Sequence, residues 1–237
     1  MTATAARVLQ QLRHDPRTIA MIVVVPGVLM TLLWWVYDGG PVFQRIGPAL
    51  LALFPVIIMF LITSVTTLRE RRSGTLERLL TLPAGKLSFI LGYALAFGLV
   101  AVVQGLVTAG LALGPLGLEV AGPWWGLIGL AALGSLLGVA LGLFVSAFAH
   151  TEFQAVQFMP ALVLPQFLLC GLLVPRGELP TALEYVSNVL PLSYAVDAMN
   201  EISTRSSPDL RLEVGVLVAV IVGVLLLGAV TLRRRTP

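Results

Sequence analysis

One cysteine, two histidines and a single lysine among 237 residues leave this chain with few tools for chemistry. The lone Cys170 excludes a disulfide within the chain, and with it a disulfide-stapled fold. Cys170, His14 and His150 are too few for a zinc cluster. Charge is scarce as well: Asp, Glu, Lys and Arg make up 11% of the residues, against about 25% in an ordinary soluble domain. No phosphate loop of the form Gly-x-x-x-x-Gly-Lys-Ser/Thr is present, because Gly85-Lys86 is followed by Leu87. What the chain has instead is apolar surface. Hydrophobic residues make up 57% and the mean hydropathy is +0.95. A single soluble core of this size could not hide that much, and the same composition excludes disorder. The arginine bias hints at a GC-rich bacterial genome.

A transmembrane helix needs about 20 mostly apolar residues. Six stretches qualify, at 19–37, 48–67, 87–113, 124–148, 156–174 and 214–232, and none contains Asp, Glu, Lys or Arg. Each such charge would cost about 2.5–3.5 kcal/mol at a helix centre. The first stretch is too long for a signal-peptide core, and Tyr37-Asp38-Gly39-Gly40 is a poor cleavage site, so it reads as a retained anchor. Arg7, Arg13, Arg17, Arg69, Arg71, Arg72, Arg78, Lys86, Arg233, Arg234 and Arg235 fall on one side, and Arg45, Arg176, Arg205 and Arg211 on the other. The positive-inside rule therefore places both termini in the cytoplasm.

The connections carry patterns of their own. In residues 1–18, Val8, Leu9 and Leu12 share a helical face beside Arg7 and Arg13, which predicts a cytoplasmic amphipathic helix lying on the inner membrane surface. In residues 68–86, Ser73 or Thr75 can cap a helix whose Leu76, Leu79 and Leu80 form one stripe, with Glu77 and Arg78 facing away and Leu82-Pro83 ending it. Two turns are marginal alone, so this helix needs a partner for its leucines. Residues 175–213 are too polar and too broken by Pro180 and Pro191 to span. They predict two short extracellular helices tucked back into the outer leaflet or lying on its surface, with Leu183, Val186, Leu192 and Tyr194 partly buried against the spans.

Within the spans, Gly134, Gly138 and Gly142 recur at spacing four, a small-residue seam for close helix packing. Pro160 and Pro165 should kink the fifth span. Gln104 and Gln166 are the clearest mid-span polar groups, suited to helix–helix hydrogen bonds or to a substrate pathway. Ser146 and His150 share a helix face but lack an acid partner and an oxyanion loop. With no ionisable group in a span core, ion-driven transport has no relay. Energy must come from elsewhere.

The order of a surface helix, six spans and a short helix after the second span resembles the permease subunits of ABC-2-type exporters. The segment Arg69-Glu70-Arg71-Arg72-Ser73-Gly74-Thr75-Leu76-Glu77-Arg78-Leu79, followed by Pro83 and Gly92, is similar to that family's coupling loop. Pro175, Leu179-Pro180 and Leu190-Pro191-Leu192-Ser193-Tyr194 resemble its outer segment. The resemblance implies an all-α polytopic membrane protein in the cytoplasmic membrane of a bacterium. It implies a second permease chain, identical or paralogous, and two copies of a separate ATPase that uses ATP and Mg. No cofactor is then bound by this chain, and no nucleic acid is a partner. Glu70, Arg71, Arg72, Gly74, Thr75, Leu76, Glu77, Arg78, Leu79 and Leu80 would couple to the ATPase. The uncharged spans favour a hydrophobic or amphiphilic substrate such as a drug, a lipid or a lipid-linked compound. An independent channel or carrier, and a membrane assembly protein without transport, are the alternatives.

Overall fold

The computed structural model describes residues 2–72 and 86–231, and among them it is built of α-helices and one 3-10 turn, with no strand. The helices are α1 (Thr2–Arg13), α2 (Pro16–Val36), α3 (Pro41–Arg72), α4 (Lys86–Leu113), α5 (Trp124–Ser146), α6 (Glu152–Leu169), α7 (Thr181–Ser187), α8 (Pro191–Thr204) and α9 (Arg211–Thr231). The 3-10 turn is Arg176–Glu178. Five of the helices, α2, α3, α4, α5 and α9, are long and apolar enough to cross a membrane. The expected span 156–174 corresponds to α6, which is not among the five. Its 18 residues hold Glu152, Gln154, Gln157 and Gln166 as well as Pro160 and Pro165.

Capping chemistry sets where these helices begin. Asp15 caps α2 by accepting from the Thr18 amide at 3.2 Å, and Pro16 opens its first turn. The amphipathic segment is thus split at His14-Asp15, with α1 before the break. α6 starts four residues earlier than expected because Thr151 accepts from the Gln154 amide at 3.1 Å while the Gln154 side chain accepts from the His150 amide at 2.8 Å. Thr-Glu-Phe-Gln is a capping-box pattern. α2 and α3 are joined by a turn through Asp38 (φ 51°) and Gly39 (φ 62°). Any side chain at Gly39 would also meet the Trp34 indole nitrogen at 2.6 Å.

α3 is the central helix, buried without interruption from Gly47 to Leu53. It packs most extensively on α5 and also touches α2, α4, α6 and α8. The α3–α5 contact runs along the small residues of α5. A Cβ on Gly138 would lie 2.4 Å from the Val56 carbonyl oxygen, and one on Gly142 would lie 2.7 Å from that of Phe60. Only glycine lets the two backbones come this close.

Two expectations need correction. The apolar face of α1 is not left for lipid: Ala5, Val8 and Leu12 are buried with Ile22, Ile90, Tyr93 and Phe97, because α4 lies directly beneath it. Of residues 175–213, only α8 enters the bundle, where its Leu192, Ala195, Val196, Met199 and Ile202 join the main core. α7 stays at the periphery, with Leu183 and Val186 exposed at 42% and 48%. α7 is held at its end, where buried Ser187 donates to the Leu169 carbonyl of α6 at 2.8 Å, while α8 fills the space between α3, α5 and α9.

Candidate functional site at the root of the 73–85 segment

At 32 residues, α3 is about 48 Å long, more than the roughly 30 Å of hydrocarbon in a bilayer. Its apolar body ends at Leu68, and the sequence Arg69-Glu70-Arg71-Arg72 forms its last turn. The residues expected to begin the coupling loop are therefore still helix, and basic side chains suit a helix C-terminus. Gly74, Thr75, Leu76, Glu77, Arg78, Leu79 and Leu80 lie outside the described residues.

Successive side chains of this last turn reach different helices. Arg69 makes a two-pronged bond to Glu152 at the start of α6, both prongs 2.8 Å. Glu70 accepts from Arg7 of α1 at 2.8 Å and from the Tyr93 hydroxyl of α4. Arg7 also donates to the Tyr93 oxygen at 3.0 Å. Arg71 donates to the backbone carbonyl of Ser146, the final residue of α5. That carbonyl has no partner inside its own helix, so a guanidinium is the donor its position favours. One helical turn thereby ties α1, α4, α5 and α6 to α3.

The environments of the three links differ. Glu70 and Arg7 are 12% and 31% exposed, so their pairing is partly desolvated. Arg69 and Glu152 are 63% and 44% exposed, so theirs is screened by water. Arg69 donating to Glu152 holds that carboxyl below the usual carboxylate range. Arg72 is exposed. Sequence patterns single out Glu70, Arg71 and Arg72 but do not identify Arg7 and Tyr93 as the partners of Glu70, nor Glu152 as the partner of Arg69. The signal within reach was local: an arginine bordering the α1 stripe, a tyrosine near the inner end of a span, and a capping box carrying an acid.

The two glutamines lie deeper and hold helices together. Gln104 is fully buried, donating at 2.9 Å to the Ile22 carbonyl of α2. Gln166 donates to Leu162 at 3.0 Å and accepts from the Leu192 amide at 3.3 Å, which covers a free N–H at the start of α8. The Ser146 hydroxyl donates to the Leu143 carbonyl at 2.6 Å. Among the described residues no group of acidic, histidine and cysteine side chains could hold a metal.

At the opposite end of α3, Arg176 donates to Asp197 and Asn188 and lies 5.3 Å from the centre of the Tyr194 ring. These contacts tie the 3-10 turn to α8.

Comparison with known proteins places this geometry in context. The family model for ABC-2 type transporters matches residues 1–203. The chain is 27% identical over 164 residues to the probable multidrug ABC transporter permease YbhR of Escherichia coli, covering 68% of this chain and 44% of that one. It is 22% identical over 189 residues to the probable multidrug permease YbhS of the same organism, covering 79% and 50%. Similarity to ABC transporter G family member 20 of Dictyostelium discoideum is 29% over 164 residues, 68% of this chain and 22% of that one. The chain thus spans half or less of the length of these curated relatives.

Proposed function

The chain belongs to the ABC-2 type transporter family, and from that membership we propose that it is the transmembrane permease subunit of an ATP-driven exporter. It is a multi-pass membrane protein of a transport family that is not itself catalytic. In this reading α6 and the residues after it complete a sixth span, both termini are cytoplasmic, and the host is a bacterium. A separate ATPase binds ATP and Mg, in two copies, beneath two permease chains. The names of the multidrug relatives and the charge-free spans favour a hydrophobic or amphiphilic substrate.

The observation that carries the proposal is the wiring of the last turn of α3. A coupling element must convert a push on one loop into movement of several helices. The 73–85 segment continues directly from a turn bonded to α1, α4, α5 and α6. A force on Gly74 to Leu80 would enter the bundle through Glu70 and Arg71, while Leu76, Leu79 and Leu80 supply the apolar face for the ATPase. A channel or an assembly protein has no need of such a junction.

The test is co-expression with the ATPase subunit, reading co-purification and substrate-stimulated ATP hydrolysis. Replacing Leu76, Leu79 and Leu80 together by alanine should abolish docking while leaving insertion intact. Glu70→Gln should dock the ATPase yet lose stimulation. Normal docking and stimulation in the triple variant would show that the segment is an ordinary basic loop.

A further inference from the structure

A cavity of about 490 Å³ opens at the end of the bundle remote from Glu70, between the first turns of α3, the residues after α6 and the far end of α8. Arg45, which lines it, is 25 positions from Glu70 on the same helix, about 38 Å along the axis. The volume falls within the range of small-molecule sites.

The lining mixes two kinds of group. Ile46, Pro48, Leu172 and Pro175 are apolar, and Arg45, Arg176, Asp197 and Asn200 are charged or polar. Arg176 is already engaged by Asp197 and Asn188, and those two opposite charges offset each other. Arg45 is exposed and makes no ion pair among the described residues. The cavity lining is therefore left with one guanidinium outside any ion pair, together with the Asn200 amide and apolar side chains.

The wall bearing Arg45 is anchored. Gln44, its neighbour and also a lining residue, donates to the Gly117 carbonyl at 3.0 Å and accepts from the Glu119 amide at 2.9 Å. This clasps the α4–α5 connection to α3 and fixes the α3 part of the cavity lining.

We propose that this cavity binds a monoanionic amphiphile, with its carboxylate or phosphodiester head on Arg45 and its apolar portion along Ile46, Pro48 and Leu172. A planar guanidinium takes such a head through two parallel hydrogen bonds. The apolar lining disfavours a small hydrated anion, and one guanidinium outside any ion pair matches a single negative charge. Two sources could supply the same chemistry: an anionic lipid of the surrounding leaflet, or a free amphiphile on that side of the membrane. The site is distinct from the ATPase-coupling root, and binding to it does not require transport.

The experiment uses the full chain in phosphatidylcholine nanodiscs and water-soluble dihexanoylphosphatidylglycerol as probe, with bound molecules counted by native mass spectrometry. Wild type should retain one probe molecule per chain, and zwitterionic dihexanoylphosphatidylcholine should not compete. Arg45→Gln should weaken retention at least about tenfold, the loss of a charge-assisted hydrogen bond, without shifting thermal stability. Arg205→Gln, outside the cavity, should bind as wild type. Long-chain phosphatidylglycerol added to the discs separates the sources: blocked probe binding assigns the site to a lipid, and unchanged binding assigns it to a free amphiphile. Absence of saturable binding to wild type, or equal retention by Arg45→Gln, would overturn the proposal.

Discussion

The side-chain amide of Gln104 donates at 2.9 Å to the backbone carbonyl of Ile22, on the neighbouring helix. Pro26 lies four residues after Ile22 in α2 and has no N–H to offer that carbonyl. Gln104 supplies the missing donor from 82 positions away in the chain. The proline that interrupts α2 and the glutamine buried in α4 are thus one device.

That relationship makes a specific prediction. Gln104→Leu should strip the Ile22 carbonyl of its donor. In water a buried unsatisfied group costs about 1–3 kcal/mol, but hydrogen bonds within membrane bundles average nearer 0.6 kcal/mol. The expected loss is therefore about 1 kcal/mol, read by unfolding in detergent. Pro26→Ala restores the helix's own donor, so the double variant should recover most of the loss. Simple additivity would show that the two residues act independently.

Glycines of α5 should divide by their neighbours. Gly138→Ala places a Cβ against the Val56 carbonyl oxygen and must push α5 off α3, whereas Gly129 has nothing within 4 Å of its would-be Cβ. We expect Gly138→Ala to destabilise by about 1–3 kcal/mol, as overpacking does, and Gly129→Ala to be neutral. Equal stability of the two in thermal unfolding would contradict the close α3–α5 approach.

The Arg7–Glu70–Tyr93 cluster predicts an order of effects. Tyr93→Phe removes the hydroxyl that donates to Glu70 and accepts from Arg7, about 0.5–1.5 kcal/mol for each bond, and leaves the 2.8 Å ion pair. Glu70→Leu leaves the half-buried Arg7 without its carboxylate and should cost more. The readout is tryptic cleavage after Arg13, which should accelerate as α1 loosens, slightly in Tyr93→Phe and strongly in Glu70→Leu. Equal cleavage rates would mean that the apolar face of α1 holds it alone.

The Arg69–Glu152 pair should be sensitive to acid. Its carboxyl is held below the ordinary value of 4.5, chiefly by the hydrogen bonds from Arg69. A depressed folded-state pKa contributes stability above the unfolded value, and that contribution is lost as the pH falls through the folded one. Both groups are well exposed, so the gain is at most about 1 kcal/mol. Wild type should exceed Glu152→Gln in stability by that margin near neutral pH, and the two should converge as the pH falls below the lowered folded-state value. A difference that persists in acid would point to packing rather than charge.

Much of this architecture was legible in the chain, because length and apolarity are local properties. Five of the six expected spans have helices of the required length, four within a few residues of their expected bounds, and 48–67 lies inside the longer Pro41–Arg72. The spacing of Gly134, Gly138 and Gly142 marked a seam, since a helix repeats its face every three to four residues. α6 begins at Glu152, ahead of the apolar run, because Thr151 and Gln154 cap its first turn, a polar end signal that hydropathy alone does not register.

What only the tertiary structure decided is who meets whom. Sequence patterns cannot say that Gly138 faces Val56, that Gln104 reaches Ile22, or that Arg69, Glu70 and Arg71 each find a different helix. In a membrane bundle every span is apolar all round, so hydropathy carries no direction, and neighbours are chosen by shape and by the few polar groups that must be satisfied. For the same reason α7 and α8 looked equivalent in sequence, yet α8 entered the core and α7 did not. The space between α3, α5 and α9 admits one helix, and the longer amphipathic one fills it.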